Sequence, residues 1–173
     1  MTVSSVALNT LVLAAKSARR VEEETLTEDK TIQGNQFKAG TTIHYLKNGR
    51  LNYAELSEDT TLQGVPYKAE TSVWFRKNGK AFDGILAKDC KVKGKKLPGG
   101  SHIYFEPAGR LWRIELGGNM TIELRGKTKI EGYILPPKTI IELDQFERPY
   151  CVTRPDGSRL GFDAQGEMQP YCN

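Results

Sequence analysis

Leu26-Thr-Glu-Asp-Lys-Thr-Ile-Gln-Gly34 returns thirty residues on as Leu56-Ser-Glu-Asp-Thr-Thr-Leu-Gln-Gly64. It returns after thirty more as Leu86-Ala-Lys-Asp-Cys-Lys-Val-Lys-Gly94. A further copy, Leu124-Arg-Gly-Lys-Thr-Lys-Ile-Glu-Gly132, arrives late, so eight residues are inserted, read most simply as Leu116 to Glu123. Self-similarity at a fixed period is the mark of a repeat architecture, and it decides the fold before any local pattern does.

Working outward, Thr41-Thr-Ile-His-Tyr45 matches Thr71-Ser-Val-Trp-Phe75, Ser101-His-Ile-Tyr-Phe105 and Thr139-Ile-Ile-Glu-Leu143. Lys47-Asn-Gly-Arg50 matches Lys77-Asn-Gly-Lys80 and Pro107-Ala-Gly-Arg110, while the fourth copy departs with Gln145-Phe-Glu-Arg148 and reads as having lost this turn. Each unit therefore holds three segments of strand character: Thr31 to Gln33, Thr41 to Leu46, and Arg50 to Leu56. Asn-Gly between the last two is a strong hairpin signal and predicts a type I′ turn, which needs positive φ at both central residues. Gly34, Gly64, Gly94 and Gly132 read as a recurring kink or bulge.

Side chains alternate across a strand, so period two assigns faces. Ile43, Val73, Ile103 and Ile141 share a core face with Tyr45, Phe75, Phe105 and Leu143. Ile32, Leu62, Val92 and Ile130 join it, as do Phe37, Tyr67, Leu97 and Leu135. The opposite face carries His44, Trp74 and Tyr104 as a ladder at thirty-residue spacing, extended by Trp112 and Phe82. Exposed, such a ladder binds proteins, peptides or sugars by stacking and desolvation; covered, it is a second core.

The expected fold is all-β: a four-copy repeat of about thirty residues forming an antiparallel meander sheet, with a β-solenoid as the alternative. Short connections and the hairpin signal favour the meander. Three strands per unit would reverse direction from copy to copy, which favours the coil. The domain reading is residues 1–25 as N-terminal helix and linker, and 26–149 as the array. Its units are 26–55, 56–85, 86–123 and 124–149, with 150–173 as a C-terminal hairpin cap turning at Pro155-Asp-Gly157.

With 38% hydrophobic and 27% charged residues among 173, the chain has a globular profile. The net charge of +4 is spread along it, with one dense basic stretch, Lys91, Lys93, Lys95 and Lys96, read as a solvated strand and loop; a nucleic-acid binder needs a stronger, more clustered bias. No apolar run is long enough for a membrane-spanning helix. Val6 to Ala15 reads as a short amphipathic helix; a secretion signal ending near Ala15-Lys-Ser17 is the alternative, although its basic n-region is missing. Cys151 and Cys172 sit in matched Pro-Tyr-Cys settings and are expected to pair, closing a loop worth about 3 kcal/mol. A disulfide places the protein outside the cytoplasm, in the periplasm, on a surface or secreted; reduced thiols and a cytoplasmic site are the alternative. Cys90 replaces a threonine of the unit above and reads as a strand residue.

Tyr45-Leu-Lys-Asn-Gly-Arg-Leu51 and Phe75-Arg-Lys-Asn-Gly-Lys80 resemble the repeats of MORN-like bacterial proteins whose hairpins centre on Asn-Gly turns, over about residues 26–115. The unit here is longer than theirs, and their late glycine is matched at Gly84 but not at Ala54 or Ile114. The resemblance implies an interaction or scaffolding module, or an antitoxin-like partner, and assigns no site.

The residues offer no catalytic set, no cofactor motif and no metal-ligand spacing. Asp29, Asp59 and Asp89 read as turn-forming aspartates, with stacked calcium ligands as the rival. The expected function is a non-enzymatic protein-binding scaffold or assembly subunit. Its partner is another protein or its own copies, with no nucleic acid. Glycan or cell-envelope binding through His44, Trp74, Tyr104 and Trp112 is the alternative.

Overall fold

The computed structural model describes residues 22–125, 130–169 and 172, and every regular element in it is a β-strand. The chain begins with β1 (Glu23–Thr25), makes a small hairpin from β2 (Lys30–Ile32) and β3 (Asn35–Phe37), and continues into β4 (Thr42–Tyr45) and β5 (Leu51–Glu55). The same order follows as β6 (Thr60–Leu62), β7 (Val65–Tyr67), β8 (Ser72–Phe75) and β9 (Ala81–Ile85). It follows again as β10 (Cys90–Val92), β11 (Lys95–Leu97), β12 (His102–Phe105) and β13 (Leu111–Glu115). Then come β14 (Met120–Arg125), β15 (Ile130–Leu135), β16 (Ile140–Leu143), β17 (Pro149–Thr153), β18 (Arg159–Phe162) and β19 (Met168–Gln169).

Among the described residues, eleven strands form one antiparallel sheet in the order β1-β4-β5-β8-β9-β12-β13-β16-β17-β18-β19. The remaining eight pair off as β2-β3, β6-β7, β10-β11 and β14-β15. The equivalent strands β4, β8 and β12 are not neighbours, so the parallel stacking of a β-solenoid is absent here. Segments such as Asn35–Phe37 read as connections in sequence, yet they are strands. The successive runs β2–β5, β6–β9, β10–β13 and β14–β17 each place two strands in a side pair and two in the large sheet.

An open sheet of this size has an apolar face that must be covered. The hairpins fold across it. Phe37 meets Phe75 edge-on at 5.8 Å, and the Tyr67 ring lies against Gly84. Ile43, Val73, Ile103 and Ile141 are buried with Leu62, Val92, Leu97 and Leu135 in one continuous core.

Two turn types repeat. At the hairpin tips Gln33-Gly34, Gln63-Gly64 and Lys93-Gly94 have positive φ at both residues, the type I′ signature, so these glycines are turn residues and not kinks. Gly132 is unlike them: it lies within β15, opposite Glu123. At Asn48-Gly49 only the glycine is left-handed, the Gly49 amide donates to Leu46 O and the Leu46 amide to Arg50 O. That is a three-residue turn with a G1 bulge, not type I′. It recurs at Gly79, Gly109, Gly157 and Gly166. The fourth copy keeps it too: the Glu147 amide donates to Asp144 O, and Glu147 takes the left-handed position at φ 57°.

The base of every hairpin is pinned alike. The amides of Leu26, Leu56, Leu86 and Leu116 donate to the carbonyls of Thr41, Thr71, Ser101 and Thr139. Leu116, thirty residues after Leu86, thus makes the bond that Leu26, Leu56 and Leu86 make. Asp29, Asp59 and Asp89 accept from the amides of Ala39, Ala69 and Gly99 across the hairpin, ten residues on, where the sequence suggested a purely local turn. Cys151 and Cys172 form the expected disulfide, with Cα atoms 5.3 Å apart. The expected N-terminal helix falls outside the described residues. No helix among those described is long and apolar enough to cross a membrane.

Candidate functional face

The face of the large sheet turned away from the hairpins carries the predicted ladder. Register places its members in one cross-strand row: Glu23, His44, Tyr53, Trp74, Asp83, Tyr104, Arg113, Glu142 and Cys151, each opposite the next. His44, Trp74 and Tyr104 are on this face as period two predicts, but they do not touch one another. Tyr53 fills the gap between the first two, and Asp83 separates Trp74 from Tyr104.

Two aromatic groups result. In the first, His44 stacks on Tyr53 at 4.0 Å and Tyr53 on Trp74 at 4.5 Å. In the second, Tyr104 packs against His102 at 4.3 Å and Trp112 at 6.4 Å, with the Arg113 guanidinium 5.3 Å from the Tyr104 ring. Trp112 is the extra residue of a bulge, because Phe105 pairs with Leu111 and Tyr104 with Arg113. Trp74 and Trp112 are each 39% exposed.

Ring separations near 4 Å with nearly parallel planes mean that the first group's rings lie face to face along the row. They stand on the sheet and turn their edges outward. A flat sugar-stacking platform needs the opposite orientation. Asp83 is held in place: its Oδ1 lies 2.5 Å from His102 Nε2, and His102 Nδ1 is 2.9 Å from the Tyr104 hydroxyl. His102 thus bridges the Asp83 carboxylate and the Tyr104 hydroxyl through its two ring nitrogens. Burial, and then Asp83, push the Tyr104 hydroxyl above its ordinary range, so it is neutral and a poor nucleophile. Glu142 lies 3.7 Å from Arg159 at the row's far end.

Sequence reasoning missed Tyr53, Asp83 and Arg113. The bulges at Asn52, Phe82 and Trp112 break alternation within β5, β9 and β13. Leu51 and Ala54, three apart, both face the core, and Tyr53 moves to the outer face. Among the described residues no group of three or more His, Cys, Asp and Glu side chains is arranged to hold a metal ion. No family model, curated protein or solved structure gives a match to the chain.

Proposed function

We propose that this protein is a four-unit repeat array, laid out as a meander with a side hairpin in alternate turns, that works as a non-enzymatic protein-binding scaffold. Its docking surface is the outer face of the large sheet. The observation that carries this reading is the aromatic and charged row crossing that face, with Trp74 and Trp112 left part-exposed. Tryptophan, tyrosine and arginine together, anchored by fixed charges, have the composition of interface hot spots. The edge-out rings favour a protein surface over a glycan.

Self-assembly through the sheet edges is the weaker form of the proposal. Among the described residues the two outermost strands of the sheet are short, three residues at β1 and two at β19, and β1 carries Glu23 and Glu24, features that blunt strand addition. The Cys151–Cys172 bridge supports work in an oxidising compartment. An antitoxin-like role, implied by the MORN-like resemblance, would be one case of the same docking.

The test compares capture by the full chain with capture by a Trp74→Ser/Trp112→Ser variant of equal melting temperature. One protein held by the wild type and lost from the variant supports the proposal. Equal capture by both overturns it, and binding to a glycan panel in place of protein moves the function to envelope recognition.

A further inference from the structure

The units are not joined identically, and the difference opens a cleft. At the first junction Asn35, 2% exposed, donates to Gly79 O at 2.9 Å. Gln63 Nε2 donates to Asn35 Oδ1 and to the same Gly79 carbonyl. Arg50 reaches Lys77 O in the next turn at 3.4 Å. Gly79 is buried so closely that a Cβ there would lie 3.0 Å from Gln33 O.

Thirty residues on, the same positions are Val65, Lys93, Lys80 and Gly109. Valine cannot donate, and neither lysine makes the corresponding bond among the described residues. A Cβ on Gly109 would meet nothing within 4 Å. The gap between the hairpins β6-β7 and β10-β11 and the turn Pro107–Gly109 is a cleft of about 660 Å³. That lies within the usual range for small-molecule sites.

Its lining has a definite chemistry. Leu62, Val92 and Phe105 supply an apolar floor. Arg76, Lys80, Lys91 and Lys93 supply four cations, none of them in an ion pair among the described residues. The one carboxylate, Glu106, is engaged by Arg110. Arg76 is pre-positioned: it donates to Phe105 O at 2.5 Å and stacks 4.3 Å over the Phe82 ring, while its Nε is buried without a partner. A guanidinium so fixed suits a carboxylate or sulfonate.

We infer that this cleft is a binding site for a small organic anion with an apolar body, the anionic group at Arg76 and the lysines. It is separate from the outer face. The test titrates the full chain with 1-anilinonaphthalene-8-sulfonate and with its uncharged relative N-phenyl-1-naphthylamine. The expected result is one sulfonate site, at least tenfold tighter than the uncharged probe and weakened by salt. Arg76→Leu, which installs the residue found at Leu46, should weaken the sulfonate at least tenfold and barely affect the uncharged probe. Lys91→Gln/Lys93→Gln, confined to exposed positions, should weaken it severalfold with the fold intact. Val65→Asn/Lys93→Gln restores the first junction's clamp and should abolish binding of both probes, whereas Trp74→Ser/Trp112→Ser should change neither. No saturable sulfonate site, or one of equal affinity in the lysine and clamp variants, overturns the inference.

Discussion

Gly84→Ala tests whether the side hairpins pack on the sheet as described. Gly84 sits in β9 directly beneath the Tyr67 ring. A Cβ there would lie 2.6 Å from Cδ1 and 2.7 Å from Cε1 of Tyr67, and 3.3 Å from Cγ2 of Val73. Carbon contacts are optimal at about 3.5–4.0 Å, so the ring must retreat by about 1 Å. It has little room, because Tyr67 is only 1% exposed. Overpacking of this kind costs about 1–3 kcal/mol. Replacing a strand glycine returns about 0.5–1 kcal/mol. The expected net loss is about 1–2 kcal/mol, a fall of roughly 2–8 °C in melting temperature for a chain of this length. Urea unfolding of the oxidised protein reads it. Thirty residues to either side, the equivalent positions hold Phe37 and Ala54, and Leu97 and Ile114, so a larger sheet residue comes with a smaller hairpin side chain. Tyr67→Leu should therefore relieve the alanine, with a coupling of about 1 kcal/mol in the double-mutant cycle. A Gly84→Ala protein as stable as wild type, or additive behaviour with Tyr67→Leu, would refute the packing argument.

Reducing the Cys151–Cys172 bridge, or replacing both cysteines with alanine, should lower stability by about 3 kcal/mol for its 21-residue separation; unchanged urea midpoints would contradict this. Cys90 should be the one thiol titrated in the oxidised, denatured chain, and in the native protein it should react slowly, because burial and then Asp89 hold its pKa above the ordinary value. Glu70 occupies a left-handed position, φ 58°, where Gly40 and Gly100 stand in neighbouring units; Glu70→Gly should stabilise by about 0.5–1 kcal/mol, measured by thermal melting. Asp144 is raised by its burial but lowered more by hydrogen bonds from Arg148 and backbone amides, and Glu24 is lowered by the Tyr45 hydroxyl and then Lys30. Both folded values lie below the unfolded ones, so the stability they contribute is full above the ordinary carboxylate range and is lost as pH falls through it. Asp144→Asn should shrink that acid-side loss in urea midpoints compared between pH 7 and pH 3, and an unaltered loss would remove Asp144 from the explanation.

What was legible in the sequence was whatever repeats with period thirty or two. The core positions of the second segment, Ile43, Val73, Ile103 and Ile141, and the hairpin residues Phe37, Tyr67, Leu97 and Leu135 are all buried. So is the pairing of the matched cysteines. Turn chemistry was harder, because Asn-Gly and Gln-Gly both supply a left-handed glycine and differ only in the residue before it. Asn48 stays out of the left-handed region while Gln33 enters it at φ 48°. The fourth turn was hidden because Glu147 does there what glycine does elsewhere. The outer row was half legible: its β4, β8 and β12 members obey alternation, whereas the bulges at Asn52, Phe82 and Trp112 shift the others by one residue. The basic cleft was half legible: Lys91 and Lys93 belong to the dense basic stretch Lys91 to Lys96, but nothing in that stretch announces a gap beside it. It arises from what the second junction lacks, and that emerges only when Val65 and Lys93 are set beside Asn35 and Gln63.

Acrylamide quenching of tryptophan fluorescence on the full chain reads most directly whether the outer face is open for docking, since Trp74 and Trp112 are its two tryptophans. Open docking predicts long-wavelength emission and efficient quenching of both indoles, with the remaining indole still quenched in each Trp→Ser single variant and both protected on adding a captured partner. Blue-shifted emission that resists quenching in the isolated protein would mean that the face is already covered, and would contradict the proposed docking surface.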